Sequence, residues 1–188
     1  MKKQDSKYFY TAQLMNQALI ALLEKKDIDF ISVTEITQKA GVNRSTFYLH
    51  YDNIYELLEE TIENLNKEFT TAFPAMVSTT VQSSKDAFLI TEDYLIPYLN
   101  FCKKNKRILK LIHQKPQLFQ CERAYRKMYD SIFYPAIAHF IDNETKRIYN
   151  LEFFTQGVAG IVRKWIELDC ETEIADLIKI IKDCVGSI

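Results

Sequence analysis

The sequence predicts an all-α fold, and three observations carry that prediction. Glycine and proline number four each in 188 residues, roughly 4% where an average chain carries about 12%, too few for the turns of sandwiches and barrels. Apolar residues recur at three- and four-residue spacing along most of the chain, the period of a helix with one buried face. Capping residues stand immediately before several of these stripes. A hydrophobic content of 47% with 26% charged residues belongs to a folded chain rather than a disordered one. Lys+Arg 24 against Asp+Glu 25 leaves a net charge of −1, which excludes a histone-like coat for DNA.

The first stripe runs from Tyr8 to Lys26, with Leu14, Ala18, Ala21 and Leu22 and the neighbouring Met15 on its apolar face. Asp27-Ile28-Asp29 ends it, and Phe30 and Ile31 read as a buried connection. Ser32-Val33-Thr34-Glu35 has the spacing of a capping box, serine hydroxyl to glutamate amide and glutamate carboxylate back to serine amide. The helix it opens carries Val33, Ile36 and Ala40 on one face and stops at Gly41, a residue suited to the positive φ of a helix end. Asn43 is placed to cap a third helix over Arg44–Tyr51. Asn53 and Glu56 repeat the capping-box spacing before a fourth stripe of Ile54, Leu57, Leu58, Ile62 and Leu65, extending toward Phe69 and Phe73. Two short helices joined by a three-residue turn containing glycine are the signature of a helix-turn-helix.

Pro74 and Ser78-Thr79-Thr80 mark a boundary, and all four prolines (Pro74, Pro97, Pro116, Pro135) lie beyond residue 73. The expected domains are 1–70, a helix-turn-helix head with the start of a connecting helix, and 71–188, a larger helical body. Within the body, helices are expected over about 84–103, 106–113, 116–141, 146–169 and 172–185. Ser84, Asn105, Asn143 and Thr172 are the candidate caps, and Pro116 the candidate first helical residue. Pro97 and Pro135 should bend or break the helices that contain them.

A recognition helix must offer short polar or donor side chains along its first two turns, where base edges and phosphates are reached. Arg44 can donate to a guanine edge or a phosphate, Ser45 and Thr46 can meet a phosphate at the helix N-terminus, and Tyr48 and His50 add ring and donor contacts one turn on. Phe47, with Val42 and Ala40, is expected to point inward and fix the angle between the helices.

The run from Ile36 to Tyr51, with its Ala40-Gly41-Val42 turn and its Thr46-Phe47-Tyr48 segment, followed by Ile54 and Leu57-Leu58, closely resembles the TetR family of bacterial transcriptional regulators. The resemblance covers about residues 8–70. It implies a TetR-like, all-helical fold: a three-helix DNA-reading head on a body that dimerises and binds a small effector. Carried over, it places Ser32 and Thr34 at the DNA backbone or an outlying base. Asn43, Arg44, Ser45 and Thr46 take base- and phosphate-contacting places, Tyr48 and His50 phosphate-holding places, and Leu49 a place that can meet a thymine methyl. Two departures stand out: Ile54 where the family often has a lysine meeting a phosphate, and Ser45 where it often has glycine. Residues 1–52 hold seven Lys/Arg and six Asp/Glu, only +1, so a shallow salt dependence is expected. A head of such weak charge also fits an interaction subunit or coactivator that has lost sequence-specific DNA binding.

In the body, the helices expected at about 84–103 and 116–141 are rich in aromatics, and tyrosines can line a pocket for an apolar or aromatic effector while offering hydroxyls. Tyr94, Tyr98, Tyr125 and Tyr129 are the candidates. Gly157 and Gly160, inside the stretch Phe153–Ile166, are small residues at helical spacing, and glycine inside a helix costs about 1 kcal/mol unless something gains from the close approach it permits. The stretch resembles the penultimate helix of TetR-like bodies, which pairs with the last helix of each subunit in a four-helix interface. Phe153, Gly157, Gly160, Ile161, Trp165, Ile174, Leu177 and Ile181 are the expected homodimer residues. A two-fold dimer would read a palindromic operator in double-stranded DNA with half-sites about 34–36 Å apart.

Cys102, Cys121, Cys170 and Cys184 lie 19, 49 and 14 residues apart with no C-x-x-C pair, and His50, His113 and His139 are dispersed, so no metal is expected. No nucleophile elbow or nucleotide-binding loop is present, which points away from an enzyme and from a bound cofactor. The charged N-terminus and the absence of a long apolar run point to a cytoplasmic protein with no membrane partner.

Overall fold

The computed structural model describes residues 3–72, 91–119 and 143–186, and every regular element among them is a helix. The chain divides into two compact units, residues 1–67 and residues 68–188.

The first unit holds α1 (Lys3–Leu23), a short 3-10 turn (Ile28–Phe30), α2 (Val33–Ala40), α3 (Arg44–Tyr48) and most of α4 (Ile54–Ala72). Its core is drawn from all of them: Ala12, Met15, Ala18, Leu19 and Leu23 of α1, Ile36 and Ala40 of α2, Phe47 of α3, and Leu57 and Leu58 of α4 are buried. The stripe on α1 is therefore rotated from the expected one, since Leu14, Ala21 and Leu22 are only half-buried. Phe30, expected in a buried connection, is 73% exposed, while Ile28 and Ile31, one 3-10 turn apart, take the inward positions. Thr61 is buried on α4 and satisfied locally: its hydroxyl meets the Leu57 carbonyl at 2.7 Å and the side chain of Asn16.

The second unit contains the end of α4 with α5 (Glu92–Lys104), α6 (Lys106–Gln114), α7 (Glu144–Glu167) and α8 (Ile174–Gly186). Leu95, Leu99, Phe101, Ile108, Leu111, Val162, Trp165, Ile166, Leu177, Ile178 and Ile181 form its buried apolar set. The corner between α5 and α6 ties three segments together. Glu68 accepts from Lys104 at 2.9 Å and from Asn105 at 3.0 Å, and Lys106 reaches the Asp169 carboxylate at 3.0 Å and its carbonyl at 3.2 Å. Desolvation is the largest single influence on the Glu68 carboxyl and raises it, but Lys104 and Asn105 together outweigh it and hold the group below the usual range.

Several expected boundaries move. Asn143 caps α7 as expected, its side chain accepting from the Lys146 amide at 2.9 Å. Asn105 stands between α5 and α6 but spends its side chain on Glu68 and the Phe101 carbonyl. Thr172 is not a cap: α8 starts two residues later, and the Thr172 carbonyl accepts the Trp165 indole N–H at 2.8 Å. α5 runs through Pro97 unbroken. Residues 116–119 form a turn rather than a helix start, and the remainder of the expected 116–141 helix, with Pro135, lies outside the described residues, as does Ser84.

Candidate nucleic-acid interface

Local chemistry builds the head's outer surface. At the start of α2 the capping box closes in full: Ser32 Oγ accepts from the Glu35 amide at 3.3 Å, and the Glu35 carboxylate accepts from the Ser32 amide at 3.0 Å and its hydroxyl at 2.9 Å. Lys26 joins the same carboxylate at 2.6 Å. With Lys26 first and the two Ser32 donors next, the Glu35 carboxyl is drawn down to about 2. Residues Ser32 and Thr34 remain exposed at this end.

Gly41 ends α2 in the left-handed region at φ 69° and ψ 30°, where a side chain carries a steric cost. Its amide and that of Val42 bond back to Gln38 and Thr37 carbonyls at 3.3 and 3.0 Å, so the chain reverses within one residue of the helix. Asn43 then adopts extended backbone and its carbonyl accepts from the Thr46 and Phe47 amides at 3.0 and 3.2 Å. Its side chain makes no cap bond. The α3 amides at this end thus depend on backbone alone, and Asn43 is exposed.

α3 is five residues long, ending at Tyr48 rather than at Tyr51, with Leu49 and His50 in the following turn. Phe47 is completely buried and orients the helix, packing edge-on against Tyr48 at 5.5 Å and tilted against Tyr51 at 5.6 Å between ring centroids. Opposite it, Arg44 and Ser45 are exposed, Tyr48 is 51% exposed and Leu49 78% exposed. Positions 44, 45, 48 and 49 fall on one side of a helical turn. Thr46 is half-buried at its edge.

His50 departs from its expected place at a phosphate. Its ring stacks on Tyr8 of α1 with centroids 3.8 Å apart and planes 20° from parallel, and its Nδ1 is buried without a hydrogen-bond partner. Burial pushes its pKa down, opposed by the charge of Glu60. Beside it the Tyr51 hydroxyl is also buried and outside good hydrogen-bond geometry, and burial together with nearby Glu60 raises its pKa. Tyr8 is the residue that sequence reasoning missed: it read as the first residue of a helix, and nothing local links it to a histidine 42 positions away.

In the second unit, Tyr98 is half-buried, its ring edge-on to Phe69 at 6.5 Å, and its hydroxyl helps hold down a Cys102 thiol that burial pushes up to about 12. Tyr98 is thus packed with its own unit, the side chain of Tyr94 lies outside what is described, and Tyr125 and Tyr129 lie outside the described residues. Of the expected dimer residues, Trp165, Leu177 and Ile181 are covered by their own chain, at 3%, 4% and 0% exposure. Their side chains are buried within the second unit, where α5 packs against both α7 and α8. Phe153 and Gly157 are exposed, and Gly160, Ile161 and Ile174 half-exposed. Among the described residues a Cβ added at Gly157 or Gly160 would meet nothing within 4 Å, so no described backbone outside α7 approaches either glycine. Among the described residues no three potential metal ligands gather, and no helix is long and apolar enough to cross a membrane.

A head of this construction invites comparison with known regulators. Residues 17–61 match the family described as Bacterial regulatory proteins, tetR family, and residues 91–186 match a Transcriptional regulator C-terminal region of the same group. The chain belongs to the TetR family. A TetR-like transcriptional regulator from Rhodococcus sp. RHA1 superposes with a TM-score of 0.66 at 16% identity, over 92% of each chain. The Dihydroxyacetone kinase operon activator DhaS follows at 0.52 and 17% identity, over 94% of each chain. The Uncharacterized HTH-type transcriptional regulator YxbF of Bacillus subtilis (strain 168) is 38% identical over 53 residues, which are 28% of this chain and only 14% of that protein. These likenesses establish an all-helical TetR fold, with the helix-turn-helix domain of a TetR-family transcriptional regulator at the N-terminus followed by a C-terminal helical domain.

Proposed function

We propose that this TetR-family protein is a ligand-responsive repressor that binds a palindromic operator as a cytoplasmic homodimer. The observation that carries the reading is the two-sided α3: Phe47 wholly buried on one side, Arg44, Ser45, Tyr48 and Leu49 exposed on the other. Arg44 donates to a guanine edge or a phosphate, Ser45 and Thr46 to phosphate oxygens, Tyr48 to a phosphate, and Leu49 meets a thymine methyl. Ser32, Thr34 and Asn43 add backbone contacts at the exposed ends of α2 and α3. His50 acts through position instead, holding the corner after α3 against Tyr8.

The dimer forms through the outer face of α7 and α8. Ile148, Tyr149 and Phe153 are 47%, 73% and 48% exposed on α7, and Gly157, Gly160 and Ile161 continue from them, with Ile180 45% exposed on α8. Such a run of exposed apolar side chains is what a subunit interface leaves uncovered in one chain. An effector that favours a body geometry with misplaced heads lowers operator affinity by its differential binding to the two states.

The low charge of residues 1–52, +1 by count, and the half-buried Ile54 at the start of α4 favour a second reading, a coactivator that dimerises without reading sequence. Selection of bound fragments from sheared genomic DNA by the purified protein separates the two. Enrichment of a palindromic site, lost with Arg44→Ala, supports the repressor or activator of a defined operator; a folded dimer that enriches nothing at low salt refutes it.

A further inference from the structure

The second unit carries a charged groove beside the proposed dimer face, with Gly160 at the border of the two. It lies between the last turns of α6 and the C-terminal half of α7, has a volume of about 440 Å³, and is lined by Lys110, His113, Gly160, Arg163, Lys164 and Glu167 among others. Among the described lining residues three permanent cations face one carboxylate, a surplus of two on a chain whose net charge is −1. The carboxylate is already engaged, since Lys164 meets Glu167 at 3.3 Å. Arg163 and Lys110 form no close ion pair among the described residues, although Lys110 lies near enough to the Asp169 carboxylate to help lower it, after Lys106. His113 Nδ1 lies 2.6 Å from the Leu109 carbonyl, to which it donates, so the ring is spent on its own helix and the cations alone are left to meet an anion.

We infer that this groove binds a small anion with two or more negatively charged groups, a phosphate ester or a polycarboxylate. Cations drawn together in excess of the acids beside them repel one another, and a bound polyanion removes that cost while accepting charge-assisted hydrogen bonds from a planar guanidinium and an ammonium. The recess is the size of a small-molecule site, whereas a duplex would need cations spread along many phosphates. Gly160 leaves the recess without a side chain on that side, and no described residue lies within 4 Å of where its Cβ would stand. On α7 the positions 160, 163 and 167 form the flank toward α6. Phe153, Gly157 and Ile161, a separate four-residue progression, form the neighbouring flank proposed for the dimer. Anion and partner subunit therefore take adjacent faces of one helix.

The inference does not depend on DNA binding and is tested without DNA. Inorganic pyrophosphate and citrate are titrated separately into the full-length protein at physiological salt, by calorimetry, the two probes distinguishing phosphate from carboxylate recognition. Saturable heat is expected for at least one probe at one site per chain. In Lys110→Ala/Arg163→Ala the dissociation constant should rise about tenfold or more, while Lys146→Ala, at the far end of α7, leaves it unchanged. Circular dichroism establishes that each variant is folded. Absence of saturable heat for both probes overturns the proposal and leaves the basic residues as partners of the helix C-termini. Equal affinity in the double variant overturns it as well, placing the anion elsewhere.

Discussion

The rings of Tyr8 and His50 lie face to face, 3.8 Å between centroids, and so fasten the start of α1 to the corner that follows α3. The imidazole therefore works from inside the head. Its Nδ1 is buried and unpartnered, and burial lowers its pKa while Glu60 pulls the other way with the smaller effect. A neutral, stacked ring at this corner fixes where α3 ends, and with it the direction in which Tyr48 and Leu49 project.

That relationship predicts an acid-sensitive head. A histidine whose folded pKa lies below its unfolded value, near 6.5, leaves the unfolded chain binding more protons as the solution acidifies. Its contribution is fully present above the ordinary value and is lost as pH falls through it toward the folded pKa. The melting temperature of the wild type should fall more steeply between pH 7 and 5 than that of His50→Gln, whatever the offset between the two at pH 7. Parallel profiles would show that His50 protonates freely in the folded head.

The cap of α2 makes a second prediction. Ser32→Ala removes the acceptor for the Glu35 amide and should cost about 1 kcal/mol of stability, the usual worth of an N-cap, read from denaturant unfolding. Glu35 adds a pH signature of its own. Its carboxyl is drawn from 4.5 to about 2 by Lys26 and Ser32, so its contribution is present above 4.5 and lost as pH falls toward 2. Glu35→Gln should flatten the stability profile across that window, and a profile of unchanged slope would contradict the pairing.

On the DNA-reading face, Arg44→Ala and Tyr48→Ala should each weaken operator binding by about 1–3 kcal/mol. Neither should move the melting temperature much, since both side chains are exposed. The salt dependence separates the two possible roles of Arg44, Tyr48 being uncharged and without effect on the slope in either role. Removing a side chain that neutralises a phosphate reduces the slope of log affinity against log salt by about one, whereas removing one that reads a base edge leaves the slope nearly unchanged. Wild-type affinity in both variants would remove α3 from the interface.

How much of the fold and the site is legible in the sequence depends on the range of the interaction. The capping box at Ser32 and Glu35 and the left-handed Gly41 involve residues within a few positions of each other, and both stand where their spacing puts them. Buried Phe47 is equally legible, because a short helix with one large apolar residue has only one way to face the core. The face of α1 is not: its apolar residues are numerous enough to outline two overlapping stripes, and only packing against α2 selects Ala12, Met15, Leu19 and Leu23. Phe30 misleads for the same reason, since hydrophobicity says that a residue can be buried and not that a 3-10 turn will point it inward. The Tyr8–His50 stack is out of reach, being a contact across 42 residues. In the body, apolar periodicity marks Trp165, Leu177 and Ile181 correctly as facing a neighbour, but does not say that the neighbour is the same chain.

That last distinction gives the sharpest prediction about assembly. Trp165 is buried with its indole N–H on the Thr172 carbonyl at 2.8 Å, so Trp165→Ala should damage the fold of the second unit itself. Gly157 is exposed, with no atom of the described residues within 4 Å of a would-be Cβ, so a leucine there starts from open space on its own subunit. Replacing a mid-helix glycine by leucine even favours the helix, by up to about 1 kcal/mol. If α7 packs against its counterpart in a second subunit through this position, Gly157→Leu should halve the mass seen by light scattering while circular dichroism keeps its full helical signal. A dimer that survives the leucine would move the subunit contact away from Gly157, and a loss of helix together with mass would show that the glycine serves the fold of the chain rather than its assembly.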